Sequence, residues 1–114
     1  MINVIGLGYI GLPTALMLAS KGLEVVGTDY NPEVIDNLNN GELTFEEKGL
    51  YELYVSAKKN RIVFTSEYQK TDIYIVAVAT PYDRNTFKVD ASYVCKAVRD
   101  IMQVCPKNAI IIIE

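Results

Sequence analysis

The chain has 114 residues, half of them apolar and 22% charged, the proportions of one folded domain and not of a disordered segment. Eleven Lys and Arg against 14 Asp and Glu leave a formal charge of −3, which argues against a nucleic-acid partner, because polyanions are met by basic patches. With no histidine and two cysteines, a zinc site or a Cys/His nucleophile pair has no support, and no metal site is expected. The longest apolar runs, Ile73–Ala79 and Ala109–Ile113, are strand-sized and too short to span a membrane. Met1–Ile5 shows no basic start leading into an apolar stretch, so a cytoplasmic protein is expected.

In chain order, Ile2–Ile5 reads as a strand that ends at Gly6. A glycine turn, Gly6–Gly11, leads into a helix from about Ile10 to Lys21, with Leu16 and Ala19 on its apolar face and Gly22 as terminator. Pro13 falls in the first turn, where a missing N–H costs little. Glu24–Thr28 is a second strand with Asp29 at its end. Asn31-Pro32-Glu33 is a helix start (a capping side chain, a proline at the first position, then an acid), and that helix runs to about Asn40. Glu42–Lys48 is a polar connector, Gly49–Asn60 a further helix and Arg61–Thr65 a third strand. Ser66–Lys70 is expected to form one helical turn. Asp72–Ala79 is almost wholly apolar, as a strand buried on both faces should be. Thr80–Asp90 is a loop, with Asp90 expected to cap the next helix, whose apolar stripe is Val94, Val98, Ile101, Met102 and Cys105. Pro106 stops it, and Ala109–Ile113 is a fifth strand. Cys105 on the stripe and Cys95 at its edge are expected to be core thiols.

Alternating strands and helices predict an α/β domain over residues 1–114: a doubly wound parallel sheet in strand order 3-2-1-4-5, helices on both faces, and a ligand crevice at the carboxyl ends of strands 1 and 4. The turn Gly6-Leu7-Gly8-Tyr9-Ile10-Gly11 sits where this Rossmann-type fold binds a dinucleotide. Gly6 permits the sharp turn, Gly8 lets a pyrophosphate approach the backbone, and Gly11 lets helix pack on strand. The N–H groups of Tyr9, Ile10 and Gly11 then face the phosphates with the helix dipole behind them. Asp29 follows Gly11 by 18 residues, close to the roughly 20 expected for the acid that binds the adenosine ribose. A carboxylate there repels a 2′-phosphate, and no Arg follows it, so the cofactor read is NAD and not NADP. Thr80, just past the fourth strand, is either a cofactor-facing hydroxyl or an ordinary strand-to-loop threonine.

These residues also resemble a known family. Gly6–Ala15, Asp29-Tyr30-Asn31-Pro32, Asn39-Asn40-Gly41, Glu47-Lys48-Gly49-Leu50, Val78-Ala79-Thr80-Pro81 and Val89-Asp90 are similar to the motifs of the nucleotide-sugar 6-dehydrogenases, which oxidise UDP-glucose, GDP-mannose or UDP-N-acetylmannosamine. Leu12-Pro13-Thr14-Ala15 looks most like the UDP-N-acetylmannosamine branch. The resemblance implies that Tyr9 and Ile10 hold the NAD pyrophosphate, that Asp29 holds the ribose and that Thr80 lies against the cofactor. Departures are Lys48 and Ala79 where the family has Pro, and Val34 near where many members carry a basic residue. It further implies two successive hydride transfers to NAD, a small-molecule UDP-sugar substrate, and a homodimer in the full-length protein. The family's catalytic cysteine and lysine would lie beyond position 114, so no catalytic residue is assigned here, and neither Cys95 nor Cys105 inherits the role. The chain is thus expected to be an N-terminal portion that binds NAD without turnover. Two other readings are a stand-alone NAD-sensing regulatory module and a different NAD(P)-dependent dehydrogenase class.

Overall fold

The computed structural model describes residues 1–114. Seven strands and four helices follow in the order β1 (Ile2–Ile5), α1 (Gly11–Ser20), β2 (Val25–Thr28), α2 (Pro32–Asn39), α3 (Leu50–Lys59), β3 (Val63–Thr65), β4 (Ile73–Val76), β5 (Tyr82–Asp83), β6 (Lys88–Val89), α4 (Ser92–Met102) and β7 (Ile110–Ile113). Five strands form one parallel sheet in the order β3-β2-β1-β4-β7. This is the predicted 3-2-1-4-5 arrangement once the short β5–β6 pair is set aside. The strand order reverses beside β1, and β4 lies against it with Ile5 opposite Val76. The carboxyl ends of these two strands define the crevice.

Alternation along the strands divides the core in two. Val4 joins Leu12, Leu16, Ala19, Leu38, Tyr54 and their neighbours beneath α1, α2 and α3. Ile5 points the other way and joins Tyr74, Val76, Ala97 and Ile101 beneath α4. The start of α2 is as read from sequence: Asn31 Oδ1 accepts from Glu33 N–H at 3.0 Å, with Pro32 next and Glu33 in the first turn. No helix is long and apolar enough to cross a membrane.

Five local expectations give way. Ser66–Lys70 is not helical, because side chains distant in sequence take its backbone groups. Gln69 N–H donates to Asn3 Oδ1 at 3.0 Å, Thr28 Oγ1 donates to Glu67 carbonyl oxygen at 3.3 Å, and the buried Tyr74 hydroxyl bonds Gln69 carbonyl oxygen and Thr71 N–H. The fourth strand ends at Val76 and not Ala79, since β1 stops at Ile5 and offers only its last carbonyl, to Ala77 N–H. The 80–90 loop contains the hairpin β5–β6, pairing Tyr82 with Val89 and Asp83 with Lys88. Asp90 stands one residue before the N-cap position, Ala91, yet its carboxylate still accepts from Ser92 N–H at 2.9 Å. The buried face of α4 is Val94, Ala97, Ile101 and Cys105; Met102 is exposed, and so is Cys95, which is therefore no core thiol, while Cys105 is partly buried.

Candidate functional site

The turn after β1 packs against itself and against the end of β4. Gly6 has φ +95°, and a Cβ there would lie 2.7 Å from Ala77 carbonyl oxygen. A Cβ on Gly11 would lie 1.7 Å from Gly6 carbonyl oxygen, so only glycine lets α1 begin this close to the turn. Gly8 differs from both. Its φ is not positive, and a Cβ built on it meets nothing within 4 Å. Nothing inside the chain requires glycine at this position; the space that its missing side chain leaves is open cleft.

The start of α1 has no side-chain cap. The N–H groups of Gly8, Tyr9, Ile10 and Gly11 donate to no acceptor in the chain, the first bonds of the helix being Leu12 N–H to Gly8 carbonyl oxygen and Thr14 N–H to Ile10 carbonyl oxygen. Four N–H groups without an acceptor in the chain, at the positive end of a ten-residue helix whose first turn borders the cleft, fit an anion of pyrophosphate type.

Asp29 lies in the same cleft, half-buried at the end of β2. Leu7 N–H donates to its Oδ2 at 2.9 Å and Asn31 N–H to its Oδ1 at 3.0 Å. The carboxylate thus ties the glycine turn to the start of α2. Each oxygen keeps a lone pair free, since a carboxylate offers about four acceptor positions. Val34, one turn into α2, packs against the core beside α1 and is not directed to the cleft.

The cleft itself encloses about 750 Å³. It brings together Gly6, Gly8, Tyr9, Ile10, Asp29 and Thr80, each of which the sequence singled out. Gly11 lies just behind them, buried in the start of α1. Thr80 is exposed at the rim and its hydroxyl makes no hydrogen bond, so it is free to meet a ligand. Sequence reading missed one wall: Tyr68 from the β3–β4 loop, with Tyr93, Lys96, Ala97 and Asp100 from α4. The last four recur every three or four residues, the spacing of one helix face. Burial, with the carboxylates of Asp100 and Asp29 adding to it, pushes the Tyr68 hydroxyl up to about 12, so it stays protonated at neutral pH.

A parallel sheet with an uncapped helix, a glycine-cleared cleft and a strand-end acid is a dinucleotide site in geometry. Comparison with known proteins decides which. The sequence model of the UDP-glucose/GDP-mannose dehydrogenase family, NAD binding domain, matches residues 1–114. The chain belongs to this family, as its NAD-binding domain. It is 45% identical over 118 aligned positions to UDP-N-acetyl-D-mannosamine dehydrogenase of Methanococcus maripaludis, covering 99% of this chain and 27% of that protein. A dehydrogenase of Ralstonia nicotianae named for NDP-N-acetyl-D-galactosaminuronic acid is 38% identical, with the same coverages. Among solved structures, the UDP-N-acetyl-mannosamine dehydrogenase Cap5O of Staphylococcus aureus superposes with TM-score 0.92 at 38% identity, over 99% of this chain and 28% of that one. The chain therefore spans about a quarter of the relatives it matches. A likeness to (S)-3-hydroxybutyryl-CoA dehydrogenase of Ralstonia eutropha, 22% identical with TM-score 0.66 over 98% of this chain and 39% of that one, shows a shared fold and no more.

Proposed function

We propose that this NAD-binding domain holds its cofactor in the glycine-turn cleft and serves the oxidation of a UDP-sugar, UDP-N-acetylmannosamine, to its uronic acid. When bound, NAD supplies the hydride acceptor for that oxidation. The observation that carries the reading is Gly8: it is a glycine with no conformational or packing need to be one, set beside four free N–H donors. Those donors, on Gly8, Tyr9, Ile10 and Gly11, would receive the pyrophosphate, and Gly6 and Gly11 let the turn hold them in place. Asp29, with both oxygens partly used by backbone, would accept from the two ribose hydroxyls through its remaining lone pairs. Its charge would disfavour the 2′-phosphate of NADP. Thr80 would approach from the opposite rim.

The remaining roles follow the family. The 114 residues alone are proposed to bind NAD without turning over a sugar, the catalytic groups belonging to a longer protein that works as a cytoplasmic homodimer. The choice of sugar follows the names of the relatives: UDP-N-acetyl-D-mannosamine dehydrogenases match this domain at 45% and 38%, and the relative named for an N-acetylgalactosaminuronic acid compound at 38%. Calorimetric titration tests the cofactor assignment. The chain should bind NAD at least tenfold more tightly than NADP, and Asp29→Asn should weaken NAD by on the order of 1–3 kcal/mol while narrowing that preference. NADP binding as tight as NAD, or an unchanged NAD affinity in Asp29→Asn, removes Asp29 from the ribose site.

A further inference from the structure

The wall of the cleft that the glycine turn and Asp29 do not explain is formed by Tyr68 and one face of α4. Tyr68 is half-buried, its ring packed against the core beneath α4. Ala97, 2% exposed, is the small apolar residue on the helix side, and Val78 adds a second apolar surface. At its rim Asp100 is held by Lys96, whose Nζ donates to Oδ2 at 2.8 Å, while Oδ1 accepts no hydrogen bond. Asp29, Tyr68 and Asp100 line one cleft, so this wall adjoins the acid read as the ribose contact. An apolar wall with one free acceptor beside it suits an aromatic heterocycle that carries an N–H donor.

We infer that Asp100 is a specificity-determining residue for the adenine base of the cofactor, its free Oδ1 accepting from the exocyclic amino group while Tyr68 and Ala97 line the ring's faces. This rests on the NAD reading above, with the pyrophosphate on the turn and the ribose on Asp29. Lys96 Nζ, 2.8 Å from Oδ2, leaves Oδ1 as the open acceptor, so Lys96 acts here as a positioning residue. A carboxylate facing a keto oxygen in place of an amino group would lose its donor and meet a like partial charge.

The test compares NAD with nicotinamide hypoxanthine dinucleotide, in which a keto oxygen replaces that amino group and the adjacent ring nitrogen gains a proton, by calorimetric titration of the 114-residue chain. The chain should prefer NAD by about tenfold, the effect of one hydrogen bond to a charged group. Asp100→Ala should weaken NAD about tenfold and bring the two ligands to near-equal affinity. Lys96→Ala, which breaks the same ion pair but leaves the carboxylate, should keep a preference for NAD; loss of the preference in Asp100→Ala alone separates base recognition from a helix-stabilising role. Equal affinities in the unmodified chain, or an Asp100→Ala preference unchanged from it, overturns the inference and leaves the NAD assignment standing. Failure of the unmodified chain to bind either dinucleotide overturns both.

Discussion

Glycine occupies three positions in the turn for two different reasons. Gly6 and Gly11 are fixed by contacts within the chain, since a Cβ on either would overlap backbone. Gly8 has no such contact and is explained only by what lies outside the chain. Sequence reading assigned Gly6 and Gly11 to chain geometry and Gly8 to ligand approach; the structure shows the contacts behind the first two. Asp29 was legible as the candidate ribose acid, but its two bonds to Leu7 and Asn31 were not, because they join segments 22 residues apart and two residues apart through one side chain. A residue-scale oddity is Phe87, exposed at the hairpin with φ +57°, a region that suits glycine. Phe87→Gly should relieve about 1 kcal/mol of backbone strain. Hydrogen exchange should then show stronger protection of the position-87 amide, which donates to Asp83 carbonyl oxygen at 2.8 Å. Weaker protection would show that the aromatic ring holds the hairpin in spite of its backbone.

At the scale of elements, strands and helices with strong apolar patterning were readable to within a residue or two, the far end of β4 excepted, and α2 was readable from Asn31-Pro32-Glu33 alone. Those that failed did so for identifiable reasons. Ser66–Lys70 has residues compatible with a helical turn, but Asn3 and Thr28, buried on β1 and β2, claim its N–H and carbonyl groups. The β5 and β6 strands are two residues each, too short for alternation to register. On α4 the stripe was drawn through large residues, which included Met102 and passed over the small Ala97, and this shifted the phase of the helix and hid the face that walls the cleft. The same helix carries a pH prediction. The bonds from Ser92 hold the Asp90 carboxyl below its ordinary value of 3.8. A depressed folded-state pKa stabilises the fold above the ordinary value, and that contribution is lost as pH falls through the lower one. The stability advantage of the chain over Asp90→Ala should therefore be constant from pH 7 to 5 and shrink below about pH 4. Urea unfolding across that range checks it, and an advantage that grows on acidification would contradict the assignment.

The whole molecule is a cofactor platform whose parts follow from one topological fact: the strand order reverses beside β1, so the helices after β1 and β4 cross on opposite faces and leave a cleft between. The fold and the glycine-turn half of the site were legible because local chemistry marks them at short spacing. The α4 half was not, because only the folded chain shows which helix face borders the cleft. The family assignment follows from the match over residues 1–114. The sugar, in contrast, is not written in this domain. The claim on which the functional account turns is that the space left by Gly8 is reserved for NAD. It is tested most directly by titrating NAD into the chain and into Gly8→Val, with urea unfolding of both. The account predicts unfolding free energies that agree to within about 1 kcal/mol, because a Cβ at this position meets nothing within 4 Å, and an NAD affinity at least tenfold weaker in the variant. A variant that binds NAD as tightly as the parent chain would contradict it.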